Sequence, residues 1–375
     1  MSARFLTVVL ERAFNMRDGF GREIDYMRIS VIDSCNLNCY YCNPCDNNEH
    51  CHALNILSVK EVLCIVRAAT RLGIKHFRLT GGEPLLHPQL DEMVLQIKKI
   101  SGVSSVSLTT NAVLLAQHAK WLKEAGIDSI NVSLDTIDAS EYERITKKPL
   151  LEEVKHGINA AIECGIRVKI NVVLTPQTDV VALTRYASKK GTDIRFIEMM
   201  PVGEGHTNGV EPYKKVIGTL SKLYGEPCRI NTEKTKEINS GNDKRKIPDN
   251  GPAEYYIFPE LGIRVGLIQA IHGKFCDTCN RIRVTADGRL MPCLGSSVTM
   301  DLVPDSCEFT DDLEKDFVIV QALKAAIKAK PGCHNFNDNA VTYTKTTETK
   351  TVETKTTELK AAEVNAARNM SRIGG

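Results

Sequence analysis

No stretch of this 375-residue chain approaches the roughly 18 uninterrupted apolar residues that a membrane-spanning helix requires. The amino-terminal stretch MSARFLTVVLERAFNM holds a six-residue apolar run that is shorter than a secretory core and is followed at once by Glu11 and Arg12. Neither a membrane span nor a secretory leader is expected, and a soluble, cytoplasmic protein fits. Net charge is nearly absent as well. With 48 Lys and Arg against 46 Asp and Glu, the formal charge of +2 supplies no global attraction to nucleic acid. Any anionic ligand must be met by a local cluster of basic side chains. The 42% hydrophobic content is enough to fill a core in a chain of this length, so disulfide staples are not needed. The 13 cysteines therefore call for another explanation, and several sit at tight spacings that suit metal binding in a reducing compartment.

From residue 27 to about 200, short β-branched runs alternate with helical stretches. Strands are expected at 27–33, 76–82, 103–111, 129–135, 166–174 and 194–199. Between the first two lies SVKEVLCIVRAATRLG, where Ser58 and Glu61 have capping-box spacing and Val62, Ile65, Val66 and Ala69 share one helical face. Gly73, Gly126 and Gly165 stand where such helices would stop. Six alternations imply parallel pairing, hence an α/β barrel or an open doubly wound sheet, with the chemistry at the carboxyl ends of the strands. Cys35, Gly81, Gly82, Glu83, Thr109, Asn111 and Asp135 all follow or end a strand candidate. After about residue 205 the pattern is less regular, with strands expected in EYYIFPE, GIRVGLIQ and RIRVTADGRLMPCL, the last carrying an Asp287-Gly288 hairpin signal. TKTTETKTVETKTTELK has almost no apolar content and reads as a solvated linker, after which the chain ends in MSRIGG.

Cys35, Cys39 and Cys42 form C-x3-C-x2-C, and Cys276, Cys279 and Cys293 form C-x2-C-x13-C. A structural zinc site normally needs four protein ligands, and neither triplet has His at zinc-ligand spacing within its motif, although His50, His52 and His272 lie not far away. An iron-sulfur cluster explains three thiolates better, because its fourth iron can take a non-cysteine ligand. Charge-poor NCYYCNP would shield such a cluster from water. Cys45 and Cys51 are alternative fourth ligands at the first triplet, and Cys307 or Cys333 at the second. Cys64 and Cys164 lie on helical segments and read as small core residues, and Cys228 has no local partner.

The C-x3-C-x2-C motif after a first strand, followed by TGGEP at 80–84, resembles the radical S-adenosylmethionine (SAM) superfamily. Within it, GREIDYMRISVIDSCNLNCYYCNP, FRLTGGEPLL, LTTNA, INVSLD, RFIEMMPVGEG, FCDTCNRIRVTADGRLMPCL and terminal MSRIGG resemble, in order, the family that cyclises GTP in molybdenum cofactor biosynthesis. One departure is Ala112, which stands where that family usually has Gly after TTN.

The resemblance implies an α/β fold, a partial (β/α)6 TIM-type barrel, with a carboxy-terminal α+β extension carrying a second Fe-S cluster. It implies an amino-terminal arm at 1–26, the barrel at 27–205, a cluster and substrate region at 206–340, a linker at 341–369 and a tail at 370–375. Cys35, Cys39 and Cys42 would hold one 4Fe-4S cluster with SAM on its open iron, and Tyr41, Gly82, Ser133 and Met200 match positions that contact SAM. Cys276, Cys279 and Cys293 would hold a second cluster that binds the guanine of GTP. Arg28, Arg78, Thr109, Lys169, Arg281, Ile282 and Arg283 match GTP contacts, and Gly374 and Gly375 would thread into the active site, joining Arg281 and Arg283 as catalytic residues. A 5'-deoxyadenosyl radical would abstract the ribose 3' hydrogen, and the resulting carbon radical would attack guanine C8. A low-potential electron donor and the next pathway enzyme, cyclic pyranopterin monophosphate synthase, are implied partners, and a homodimer is allowed.

The residues support these roles on their own terms. GTP is a polyanion, and Arg28, Arg78, Lys169, Arg281 and Arg283 could supply the local field that the nearly neutral chain lacks. Arg281 and Arg283 are two apart on an expected strand and so share a face. Standing alone, an R-x-R strand reads as a solvated sheet face; beside Cys279 the ligand reading is favoured. Two rivals remain: a radical SAM enzyme that modifies a peptide or another nucleotide with a fully ligated electron-transfer cluster, and a zinc- or iron-binding scaffold.

Overall fold

The computed structural model describes residues 16–42, 55–202, 205, 209–230, 251–296, 299–302, 312–334 and 336. All six expected strands of the first half are present, as β1 (Tyr26–Ser30), β2 (His76–Thr80), β3 (Ser105–Thr110), β4 (Ser129–Ser133), β5 (Val168–Val173) and β6 (Asp193–Ile197). The helices between them are α1 (Val59–Arg71), α2 (Leu90–Lys98), α3 (Leu115–Glu124), α4 (Ala139–Thr146), α5 (Leu151–Glu163) and α6 (Val180–Lys189). Helix α1 starts where the capping box expects it. The Ser58 hydroxyl accepts from Glu61 N at 3.3 Å while Ser58 N donates to the Glu61 carboxylate at 2.8 Å. Its Val62, Ile65, Val66 and Ala69 are buried, as is Cys64. Gly73, Gly126 and Gly165 end α1, α3 and α5 at φ of 87°, 89° and 68°, a region that costs a residue with a Cβ about 1–2 kcal/mol. Buried Ala112 has φ 65°, so the departure from glycine places a side chain in a left-handed turn.

Strands β1 to β6 pair in chain order and in parallel, without the reversal that defines a doubly wound sheet. The later region does not form a separate layer of strands. It adds α7 (Gly218–Tyr224), α8 (Asp312–Lys328) and strands β7 (Cys228–Ile230), β8 (Glu254–Ile257), β9 (Arg264–Ile268), β10 (Arg281–Val284), β11 (Arg289–Met291) and β12 (Met300–Asp301). Strand β9 joins β6 and β10 joins β1, both in parallel, so six strands become eight. Antiparallel β8 and β7 extend one edge, and β11 and β12 extend the other. The Asp287-Gly288 turn connects β10 to β11 as the sequence signal expects, with Gly288 at φ 77°.

This sheet must curl. Laid flat, β9 and β10 would stand seven strand spacings apart, roughly 34 Å. Yet Ile268 of β9 and Arg281 of β10 line the same cavity. The fold is therefore an open arc with helices outside, its apolar core lying between the sheet and the helices and its cavity within the concave face. Among the described residues, no helix is long and apolar enough to cross a membrane.

Candidate active site

The cavity inside the arc has a volume of about 650 Å³. Strand direction fixes where the two cysteine triplets lie. Cys35 follows the carboxyl end of β1, whereas Cys279 precedes Arg281, which pairs with Tyr26 at the amino end of β1. Cys293 returns to that same end because β11 runs antiparallel to β10, with Met291 opposite Arg283. The triplets thus cap opposite ends of the strands, roughly 15 Å apart at about 3.3 Å per strand residue.

At the carboxyl end, the Cys35–Cys42 loop is held from several sides. Asn38 N and Tyr40 N donate to Thr146 O and Ile145 O of α4 at 3.0 and 3.1 Å, and Asn111 Nδ2 lies 3.8 Å from Cys35 Sγ. The loop also lies against the β2 turn, where Gly82 N and Glu83 N donate to Ile32 O and Ser34 O at 2.8 and 2.7 Å. A Cβ on Gly82 would meet Ser34 O at 2.2 Å, so glycine is demanded by the cysteine loop's own backbone. This packing demand stands beside the SAM contact that the family resemblance implies for Gly82. Burial pushes the Cys35 thiol up to about 12 although it is exposed to the cavity, and burial and Asp135 push Cys42 up to about 11. Burial raises Cys39 as well, with its charged neighbours adding to the shift. Loss of water, not a basic neighbour, dominates this wall, so an iron centre would be what makes it hold thiolates. Tyr41 lines the cavity and donates to Asp135 Oδ2 at 2.5 Å, whereas Tyr40 turns outward, with Arg144 5.7 Å above its ring. Only one of the two tyrosines therefore shields the thiols.

Glu83 ties this wall together. It accepts from Thr110 Oγ1 and Asn111 N, each at 2.7 Å, and from Leu85 N at 3.0 Å. Burial nevertheless raises its carboxyl to about 7, outweighing those three donors. Between about pH 4.5 and 7 the folded protein keeps a proton that the unfolded chain has released, so this stabilisation is complete at acid pH and lost as pH rises through 7. Glu83→Gln removes the titration. The stability of the metal-free variant relative to wild type is expected to rise by on the order of 3 kcal/mol from pH 4.5 to 8 in urea titrations. A pH-independent difference would refute the assignment.

In mid-cavity the register builds a basic row. Arg283, Arg28 and Arg78 are direct partners across β10, β1 and β2. One layer further along, Thr109, Asn131 and Lys169 are partners across β3, β4 and β5. Tyr26 OH accepts from Arg78 Nε, and Arg281 lies over the Tyr26 and Phe275 rings at 5.7 and 5.9 Å. Burial is the leading cause that holds Arg28 and Arg281 below the usual guanidinium range, and burial with the Arg281 charge lowers Arg283 to about 10. Nη1 of Arg283 is buried without a hydrogen-bond partner. Several cations are thus crowded away from water, an arrangement that a bound polyanion would relieve.

At the amino end, Cys276, Cys279 and Cys293 line the cavity together with Lys330, His334 and Phe336. Burial, with Cys333 beside it, raises Cys276 to about 11. Burial also acts upward on Cys279, but the charges of Lys330 and Arg281 outweigh it and lower this thiol. Cys333 Sγ lies 3.5 Å from Cys276 Sγ. Among the described residues, no three His, Cys, Asp or Glu side chains gather closely enough to share one metal ion. A cubane takes each thiolate on a different iron, so it accepts donors spread in this way.

The cavity brings together Cys35, Cys39, Tyr41, Cys42, Gly82, Ser133 and Met200 at one end, Arg28, Arg78, Thr109 and Lys169 between, and Cys276, Cys279, Arg281, Arg283 and Cys293 beyond. Ile282 is the exception. The alternation that points Arg281 and Arg283 into the cavity turns its side chain into the hydrophobic core. Gly374, Gly375, Cys45, Cys51 and Cys307 lie outside the described residues. Cys64 is buried as expected, and Cys164 packs against the core. Sequence reasoning missed Arg195, which donates to Asn171 Oδ1 at 2.9 Å in the cavity wall, and Lys330. Arg195 could have been found from its place in the RFIEM strand; no local pattern marks Lys330.

Comparison with known proteins agrees with this geometry. Residues 29–183 match the family model described as Radical SAM superfamily, and residues 192–336 match Molybdenum Cofactor Synthesis C. A GTP 3',8-cyclase of Clostridium perfringens (strain SM101) is 36% identical over 324 residues, covering 86% of this chain and 95% of that protein. The GTP 3',8-cyclase of Listeria monocytogenes is 36% identical over 323 residues, covering 85% and 92%. Among solved structures, Streptococcus suis SuiB bound to its precursor peptide SuiA superposes with a TM-score of 0.53 at 14% identity, covering 86% of this chain and 70% of that one. At that identity the likeness concerns the fold.

Proposed function

The chain belongs to the GTP 3',8-cyclase family of the radical SAM superfamily, and from that membership we propose how the cavity inside the arc divides the labour of the reaction. The reaction is the conversion of GTP to (8S)-3',8-cyclo-7,8-dihydroguanosine 5'-triphosphate, the first step of molybdenum cofactor biosynthesis. The observation that carries the division is the pair of cysteine triplets capping opposite ends of one cavity with a row of guanidinium groups between them.

Cys35, Cys39 and Cys42 hold a 4Fe-4S cluster, and Tyr41, Gly82, Ser133 and Met200 hold SAM against it. Together these groups supply one-electron, hydrogen-abstracting chemistry at that end. Cys276, Cys279 and Cys293 would hold a second cluster at the guanine end, while Arg28, Arg78, Lys169, Arg281 and Arg283 receive the triphosphate and Thr109 adds a hydroxyl. The protein's main contribution is placement: it keeps the ribose and purine in reach of one another and of the first site, with water excluded. The family resemblance assigns a catalytic role to Gly374 and Gly375, which lie outside the described residues; a low-potential protein would donate the electron, and the product would pass to cyclic pyranopterin monophosphate synthase.

The test is anaerobic incubation of cluster-reconstituted protein with SAM, reductant and GTP. We expect 5'-deoxyadenosine and cyclised GTP in equal amounts. Formation of 5'-deoxyadenosine only with a peptide or another nucleotide would sink the reading.

A further inference from the structure

Lys330 is buried, with 3% of its surface exposed, just beyond the end of α8. Its ammonium donates to Arg281 O at 2.8 Å and to Pro292 O at 2.9 Å. Those carbonyls lie two residues after Cys279 and one residue before Cys293. One side chain therefore ties together two cysteine-bearing segments of the second triplet, from β10 and from the end of β11. The third segment hangs from another buried cation. Arg22 donates to Cys276 O at 2.6 Å, to Pro331 O at 2.6 Å and to Gly332 O at 3.0 Å. The two cations differ in one respect. Arg22 is paired with Asp18 at 2.6 Å, whereas the two bonds above tie Lys330 to neutral carbonyls beside the thiols.

We propose that Lys330 is a positioning residue for the second iron-sulfur site: it sets the spacing of Cys279 and Cys293 and provides the buried positive charge that a thiolate-ligated cluster requires. This rests on the two-cluster reading above. A buried ammonium bonded to carbonyl dipoles is costly, its charge already acts on the Cys279 thiol, and a cluster bearing three thiolates would bring net negative charge next to it. Outer-sphere groups of this kind orient ligands and tune the metal, and losing one typically lowers metal affinity about 10–100-fold.

The test uses full-length reconstituted protein and two substitutions. Lys330→Met keeps the length but removes both the charge and the donors; Lys330→Gln keeps a donor without the charge. Wild type is expected to hold about eight irons per chain, four in each cluster. The Met variant should fall to about four irons and still convert SAM to 5'-deoxyadenosine. The Gln variant should keep its second cluster with a reduction potential below wild type, because removing a nearby positive charge disfavours the electron-rich state. Eight irons and a wild-type potential in the Met variant would overturn the proposal. If that variant fails to fold, an unchanged potential in the Gln variant overturns it instead. Only four irons in wild type would remove the two-cluster reading, an outcome that iron analysis distinguishes from failure of the Lys330 role alone.

Discussion

Replacing Cys39 with alanine is expected to abolish 5'-deoxyadenosine formation, with a loss on the order of a thousand-fold or more, equivalent to about 4 kcal/mol or more of barrier. The size of the effect follows from the geometry. Cys39 lies in the loop whose backbone is fixed to α4 on one side and pressed against Gly82 on the other. No described histidine stands beside the triplet to substitute, since the cavity wall there is built from Leu37, Tyr41, Gly81, Gly82, Glu83 and Asn111. An iron deprived of its thiolate at this position would be left to water, in a site whose other two thiols are themselves raised by burial. Iron should drop from about eight to about four per chain, because the second triplet is made by a different part of the sheet. Cys164→Ala, at a helix end where the thiol only packs against the core, is the control and should leave both iron and activity unchanged. Retention of a tenth of wild-type SAM cleavage by the Cys39 variant would contradict the ligand assignment.

The parts of the fold legible in the sequence were those set by local periodicity. The six β-branched runs became β1 to β6, and the Ser58-Glu61 spacing became the start of α1, because alternation and capping act over a few residues. The same period of two that correctly paired Arg281 with Arg283 on one face also turns Ile282 away from it. That follows from strand geometry, whereas the motif-based assignment treated the three residues as a unit. Periodicity could not say where β9 and β10 would dock. Their register against β6 and β1 converts a six-stranded barrel with an appended region into one eight-stranded parallel arc, and it is this docking that sets the second triplet facing the first. Lys330 was hidden for a related reason: two of its partners are main-chain carbonyls 49 and 38 residues away, and a carbonyl carries no residue identity to read.

Arg283→Met should separate stability from function in opposite directions. Arg283 is 8% exposed and pairs in register with Arg28, and burial together with the Arg281 charge lowers its pKa to about 10. In the metal-free, nucleotide-free protein this group is a buried charge among like charges, and its Nη1 has no partner. Exchange of a buried, poorly compensated ion for an apolar side chain of similar length is often stabilising by about 1–4 kcal/mol. The melting temperature of the metal-free variant is therefore expected to rise. Removal of a charged donor from a polyanion should cost about 2–4 kcal/mol of binding, a factor of roughly 30 to 1000 in the dissociation constant for GTP. SAM cleavage without GTP depends on the far end of the cavity and should be retained. Thermal denaturation of the metal-free protein and equilibrium GTP binding to the reconstituted protein decide the matter together. A variant that melts higher and no longer binds GTP would show that the chain accepts a strained cluster of cations for the sake of its substrate. A variant that melts lower with unchanged GTP affinity would mean that Arg283 is a structural residue and that the triphosphate is held elsewhere.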